Sequence, residues 1–450
     1  MNRNAINLES EKVSVLFRKL LLPTLMGSIA LCAVTAIDGI IIGHGVGAGG
    51  VAAVNITVPI FQIMSGLGLM VGAGCSVVAS IHISRNDIRV AQLNATQAIL
   101  LTTLLATLLC VTVLAFPRHT ADILGTSPTL MPQVVDYLRW IIPAFIFQMW
   151  SMIGLFIIRL DGSPKYAMWC NIFPALLNGV LDWLFVFPLG MGVKGAAIAT
   201  TISIATGGVM AMTYLLFLAH RLRLARFKFS RTSIMLSVRN IGYQCKIGAS
   251  TLLGELTLAV FIYVGNLVFM RYLGDAGVGA FGIACYYTPL FFVVGNAIAQ
   301  SAQPIISYNY GISRWREIRE ARRLLLATSL LVGVFVTMLF ILIPDGLVAL
   351  FVDTHGEAGR IAIQGFPYFA LGIVFFISNV AIIGYYQSVE QIRKAVLFVL
   401  LRGFVLLIPF FLILPRIIGV AGIWLALPFA EMTTFAIILG IFAYYRLQRQ

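Results

Sequence analysis

Along this chain, long apolar runs alternate with short polar breaks, and most runs match the length of a bilayer crossing. The first six cover about 18–43, 52–80, 91–116, 133–159, 165–187 and 195–220. The second six cover about 247–271, 279–306, 323–344, 361–386, 394–414 and 417–445. A helix needs roughly twenty residues to cross the hydrocarbon layer, so each run supplies one span. The pattern predicts an all-α polytopic membrane protein with about twelve transmembrane helices. An even number of spans puts both termini on one side.

The breaks carry the charge asymmetry that sets orientation. On the side of the termini lie Arg85, Arg89, Arg159, Lys165, Arg393 and Lys394, with Arg446 and Arg449 in the tail. That side also holds two basic clusters. One is Arg221, Arg223, Arg226, Lys228, Arg231, Arg239 and Lys246, with no acid among them; the other is Arg314, Arg316, Arg319, Arg322 and Arg323. The opposite loops hold Arg118, Lys194, Arg271, Arg360 and Arg416, with Arg139 just inside the fourth span. Positive loops stay inside, so both termini are expected in the cytoplasm, with anionic lipid headgroups as neighbours of the clusters.

Composition agrees: 60% of residues are hydrophobic and 11% charged, far from a soluble domain. The formal charge of +14 follows membrane topology and does not point to nucleic acid. The polar start, Met1–Lys12, lacks the apolar core of a secretory signal, so the first span is expected to remain as a mature helix. Cys32, Cys75, Cys110, Cys170, Cys245 and Cys285 sit in or beside apolar runs without metal spacing and read as packing residues.

The chain also repeats itself. Gly50-Val51-x-Ala53-x-x-Ile56 returns as Gly277-Val278-x-Ala280-x-x-Ile283, an offset of 227. At the same offset Lys19, Thr24, Leu25 and Gly27 meet Lys246, Thr251, Leu252 and Gly254, and Gly68 meets Gly295. Pro188, Gly192, Val193 and Gly195 likewise meet Pro415, Gly419, Val420 and Gly422. Six spans per copy make the copies parallel, so two six-helix lobes related by a pseudo-twofold axis along the membrane normal are expected. The division reads as a cytoplasmic segment 1–17, a first lobe 18–220, a basic linker 221–246, a second lobe 247–445 and a cytoplasmic tail 446–450. Such a plan suits a transporter with a cavity that opens to either side.

Against this apolar background the few polar residues stand out. Asp38 is the only charged residue from Leu20 to Ile42. Carrying an acid to the bilayer centre costs about 2.5–3.5 kcal/mol, so it either binds an ion or proton or ties two helices together. In the fifth span Asn178 and Asp182 share a helix face, with Asn171 two turns earlier and Pro174 between. They form either a cation site or an interhelical hydrogen-bond ladder. Subtracting the repeat sharpens the choice: Asp38 aligns with Gly265, Asn178 with Val405 and Asp182 with Pro409, so the scaffold does not require these groups. Pro23, 15 residues before Asp38, is either a hinge or a tolerated kink.

The second half has its own acids. Glu255 lies about two turns into the seventh span without an obvious basic partner and is a second ion or substrate candidate. Glu431, in the twelfth span, is expected to be neutralised by Arg402 in the eleventh. Gln62, Gln148, Met152, Asn296, Gln300 and Tyr385 are candidates for an amphipathic cavity lining. No nucleotide loop, zinc spacing or nucleophile elbow is present, so neither enzymatic activity, a metal nor a bound cofactor is expected.

These features together resemble the MATE family, the multidrug and toxic compound extrusion antiporters, in its MepA-like and DinF-like bacterial branches. The resemblance covers nearly the whole chain. It rests on the 6+6 plan, on Pro23 with Asp38-x-x-x-x-Gly43, on Asn178-x-x-x-Asp182, and on Gln303-Pro-Ile-Ile-Ser-Tyr-Asn-Tyr-Gly311. It implies a bacterial inner-membrane protein that exports organic cations by antiport with H⁺ or Na⁺, working as a monomer. It also implies that Asp38, Asn178, Asp182 and a sixth-span threonine, Thr200, form the cation site, with Thr201 adjacent. Other branches use a seventh-span acid that resembles Glu255. Tyr137 is a further carry-over. A lipid-linked precursor or polysaccharide flippase of related architecture is the alternative within transport. An ion channel or membrane receptor is the alternative outside it.

Overall fold

The computed structural model describes residues 8–46, 48–124, 126, 128–225 and 230–447. Residues 34–40, 43, 48–49, 51–52, 55, 231–232 and 443–447 are described by backbone alone. The expected N-terminal segment, linker and tail therefore lie outside the described residues at 1–7, 226–229 and 448–450. The described chain is built of helices, as a bilayer demands of a backbone that must satisfy its own polar groups.

Helices α1 (Val13–Gly45), α2 (Ala48–Ser84) and α3 (Ile88–Ala115) form the first three spans, and the short α4 (Pro117–Ile123) follows. The fourth span is two helices, α5 (Met131–Ile141) and α6 (Ala144–Leu160), bent by 50°. Pro143 explains the bend, since it has no N–H to continue the ladder. The Cys110 thiol donates to the Ile142 carbonyl at 3.1 Å beside it. Helices α7 (Pro164–Val186) and α8 (Gly192–Thr213) complete the first half, and α8 ends in a π-helical turn at Tyr214–Leu218.

The second half starts earlier than the hydropathy suggests. α9 (Arg231–Gly311) is 81 residues of helix, broken only at Gly274, where φ is 61°. Glycine accepts that backbone without a Cβ penalty. The expected basic linker is thus helical from Arg231 onward. Then come α10 (Trp315–Leu342), the short α11 (Pro344–Ala349), and a second bent pair, α12 (Glu357–Ala370) with α13 (Ile373–Ser388), again at 50°. α14 (Ile392–Leu400), a π-helical turn at Leu401–Val405 and α15 (Leu407–Ile418) make one span, followed by α16 (Val420–Leu447). Among the described residues nine helices can cross a bilayer, eleven with each bent pair as one span. Counting α9 as two about Gly274 reaches the expected twelve.

The repeat is written in the backbone as well. Two non-glycine residues with positive φ, Asn86 (63°) and Ser313 (57°), stand 227 positions apart at the α2–α3 and α9–α10 turns. Gly192 (58°) and Gly419 (64°) stand at the same offset, at or just before the helices of the sixth and twelfth spans.

The chain divides into two compact units. The first comprises Met1–Gly248 with Ser307–Trp315; the second comprises Ala249–Ile306 with Arg316–Gln450. Their cores differ in material. In the first, α6 packs against α2, α3 and α8 with aliphatic residues such as Ile153, Ile157 and Ile158 fully buried. In the second, phenylalanine rings dominate: Phe261, Phe281, Phe369 and Phe411 surround one another, and Trp424 meets Phe269 edge-on at 4.8 Å.

Candidate ion-binding site

α1 and α7 run side by side in the same direction. Gly27 lies against Met168 and Asn171, where a Cβ would come within 3.3 Å of Asn171 Nδ2. Gly45 lies against Val186 near the other end. Equal helical rise between these points sets the Asp38 backbone level with the Asn178–Asp182 turn of α7. The Asp38 side chain itself lies outside the described residues.

α8 closes the other side. Pro174 has no N–H to offer the carbonyl of Cys170 one turn back. There α8 presents Gly207, whose added Cβ would lie 3.2 Å from both Cys170 O and Pro174 Cγ. The close approach brings Thr200, two turns from Gly207, opposite Asn178. Asn178 Nδ2 donates to Thr200 Oγ1 at 3.4 Å. Thr201 turns away and donates to the Trp140 carbonyl at 2.6 Å, which separates the two threonines. Asp182 is fully buried, Asn178 nearly so, and Asn171 borders on buried. Ile42, Val186 and Ala196 form an apolar cluster that joins α1, α7 and α8.

The set comprises one deeply buried carboxylate, an amide one turn away, a hydroxyl on the amide and the Asp38 backbone alongside. A carboxylate and neutral oxygens suit a small hard cation or a transferable proton.

The second unit carries a buried polar cluster of another kind. Arg402, in the π-helical turn, grips Glu431 of α16 with Nη2 to Oε1 at 2.6 Å and Nε to both oxygens at 2.9 and 3.1 Å. Both residues are 1% exposed. Asn379 of α13 donates to Glu431 Oε2 at 2.8 Å and to the Glu431 carbonyl at 2.9 Å. The guanidinium also sits 4.1 Å from the Phe376 ring centre. The expected Arg402–Glu431 pairing is present, and Asn379 is the partner that sequence reading missed. Its signal was available, since an amide within the apolar run of α13 is as conspicuous as Asp38 within α1.

The remaining candidates fall on both units. Glu255 is half-buried on α9 in the second unit, on a different element from Asn178 and Asp182. In the first unit Gln148 donates to Ser65 at 2.6 Å, with Oε1 buried and unpaired among the described residues. Met152 covers Gly68 one turn on, and Gln62 is half-buried on α2. Asn296, Gln300 and Tyr385 are half-buried in the second unit, where the Arg322 guanidinium lies 5.7 Å from the Tyr385 ring. Pro23 lies within an unbroken α1. Tyr137 is buried on α5. No group of His, Cys, Asp or Glu among the described residues is arranged to hold a metal ion.

Comparison with known proteins gives a consistent result. The MatE family profile matches twice, over residues 23–184 and 252–413. An FAD transporter of Shewanella oneidensis is 26% identical over 442 residues, covering 95% of this chain and 93% of that protein. The multidrug export protein MepA of Staphylococcus aureus is 22% identical over 391 residues, covering 85% and 82%. An outward-facing multidrug resistance MATE family transporter of the MOP superfamily superposes with a TM-score of 0.90 at 20% identity, covering 100% of both chains.

Proposed function

Because this chain belongs to the MATE family of membrane transporters, we propose that it exports organic cations and similar amphipathic compounds by antiport with H⁺ or Na⁺. The observation that carries the reading is the first-unit cluster: buried Asp182 with Asn178 and Thr200, and Asp38 level with them. The ion enters this set, the site's charge is neutralised, and α1 shifts about Pro23 as drug leaves outside. When the ion departs inside, the site is ready for the next exchange. Ion and drug draw on one set of conformations, so their affinities are linked by alternating access. The basic connector and the arginine-rich start of α10 face the cytoplasm of a bacterial inner membrane in this reading, and the chain works as a monomer.

A second substrate reading has one observation in its favour. The Shewanella relative, named as an FAD transporter, is more similar over more of the chain than MepA is. A flavin dinucleotide carries phosphates, so its export would leave the acids to the coupling ion alone.

Reconstitution separates these possibilities. Proteoliposomes are loaded with ethidium or with FAD, and a pH or a Na⁺ gradient is imposed separately. Ethidium flux that follows one gradient and is lost in Asp38→Asn supports the proposal. FAD flux without ethidium flux selects the second reading. Undiminished gradient-driven flux in Asp38→Asn refutes the coupling site.

A further inference from the structure

The repeat leaves one element without a counterpart. In the first half α1 begins at Val13, and the equivalent of that position in the second half is Asn240. α9 nevertheless begins at Arg231, so its first turns are an addition that membrane crossing does not require.

The start of α9 has two unlike faces. One, on the turns 240–247 that follow the addition, is docked on α3. Ile241, Gln244 and Ile247 are buried, Gln244 donates to Asn94 Oδ1 at 3.0 Å, and Asn240 donates to Gln97 at 3.1 Å. α3 is polar through Gln97 and apolar from Ala98 onward, so these amide pairs place residues 240–244 where the span begins. The addition itself is apolar and open. Ile234, Met235, Leu236 and Val238 are 52%, 67%, 38% and 61% exposed. Four large apolar side chains within five residues are not left facing water without a reason. Exposed Arg239 and Lys246 share the Met235 side at i+4 and i+11.

The connector brings more positive charge to the same support. Asp161 accepts three consecutive backbone N–H groups, from His220 (2.7 Å), Arg221 (2.7 Å) and Leu222 (2.8 Å), and the Tyr214 hydroxyl at 2.8 Å. Gln92 and Thr96 of α3 bind the backbone of Arg221 and Ala225. The connector is thus fixed to the same helix as the α9 extension, with Arg221 and Arg223 exposed.

We propose that the extension Ser233–Lys246, with the docked connector at Arg221 and Arg223, is a binding surface for anionic phospholipid. Ile234, Met235 and Val238 enter the headgroup–acyl boundary, while Arg239, Lys246 and the two connector arginines meet the phosphates. An apolar face with flanking cations and no acid on the exposed side is what an interfacial helix requires. Each basic residue near an anionic surface strengthens binding by about fivefold.

The test uses the full chain in detergent and native mass spectrometry with added phosphatidylglycerol or phosphatidylcholine. The wild type retains phosphatidylglycerol preferentially, and Arg239→Glu/Lys246→Glu lowers that retention by about an order of magnitude, with phosphatidylcholine unchanged. Should the double variant fail to fold, Arg239→Gln takes its place, with an expected loss of about fivefold that shrinks at high salt. Separately, Met235→Trp in nanodiscs of brominated phosphatidylglycerol gains fluorescence quenching over the wild type. Equal retention of the two lipids by the wild type, or unchanged retention in the charge variants, overturns the proposal. So does an unquenched tryptophan at 235, which would mean that water or a protein partner covers this face.

Discussion

Two buried polar clusters lie on helices that the repeat relates, and they handle charge in opposite ways. In the first unit α7 and α8 carry Asp182, Asn178 and Thr200; their repeat positions are Pro409, Val405 and Leu427. In the second unit the π-helical turn, α16 and α13 carry Arg402, Glu431 and Asn379; their repeat positions are Ala175, Ile204 and Met152. Neither set exists in the other copy. The second cluster gives its carboxylate a guanidinium in bidentate contact, an amide and an aromatic face, so its charge is internally balanced. The first gives its carboxylate a setting of amide and hydroxyl, with the Asp38 position alongside. One scaffold thus hosts an internally paired carboxylate and a carboxylate set whose chemistry suits an exchangeable cation. The lesson is that a buried acid is not by itself a functional site; what it is paired with decides.

The bend points make the same contrast in the backbone. Pro174 sits at the repeat position of Leu401, where the second unit opens its π-helical turn. Both interrupt the α-helical ladder at one place by different means. In the first unit the interruption admits Gly207 of α8 close to the Cys170 carbonyl. In the second it hosts Arg402 and brings Gly403 against Thr257.

The largest effect is expected at Arg402. Arg402→Met leaves Glu431 buried without its cation and should destabilise the second unit by about 3–5 kcal/mol, read as a fall in thermal midpoint and in folded yield. Adding Glu431→Leu should recover most of that loss, because an apolar pair of similar volume does not leave a stranded charge. If Arg402→Met unfolds normally but abolishes transport, the pair belongs to the mechanism and the contrast fails.

Asp182→Asn should do the reverse. The thermal midpoint stays near the wild type or rises, since burying an amide is easier than burying a carboxylate, while gradient-driven flux disappears. The smallest effect is expected at the paired threonines. Thr200→Val removes the hydroxyl that meets Asn178 and should raise the half-saturating ion concentration several-fold, whereas Thr201→Val should leave it unchanged. A shift at Thr201 alone would mean that the wrong hydroxyl has been assigned.

Much of this fold is legible in the sequence because the bilayer leaves few choices for a backbone. Run lengths gave the spans, and glycine and proline spacing gave the duplication, which recurs as matched positive-φ residues at Asn86 and Ser313. The 50° bends do not show in run length or hydropathy, although Pro143 marks the place of the first. The early start of α9 was hidden because exposed Ile234, Met235 and Val238 sit among arginines and dilute the run. Within the candidate site, the i, i+4 spacing of Asn178 and Asp182 was visible, and so was the Arg402–Glu431 pair. Which threonine meets Asn178 was not, because adjacent residues on a helix differ only by rotation about its axis.

Whether coupling resides in the first unit is decided by comparing two acid variants in one transport assay. Wild type, Asp182→Asn and Glu255→Gln are reconstituted at equal density, and ethidium efflux is recorded after a pH jump and after a Na⁺ jump. With coupling in the first unit, Asp182→Asn abolishes the gradient-driven component while Glu255→Gln keeps at least half of it. Loss in Glu255→Gln with retention in Asp182→Asn would contradict it and move the coupling site to the second unit.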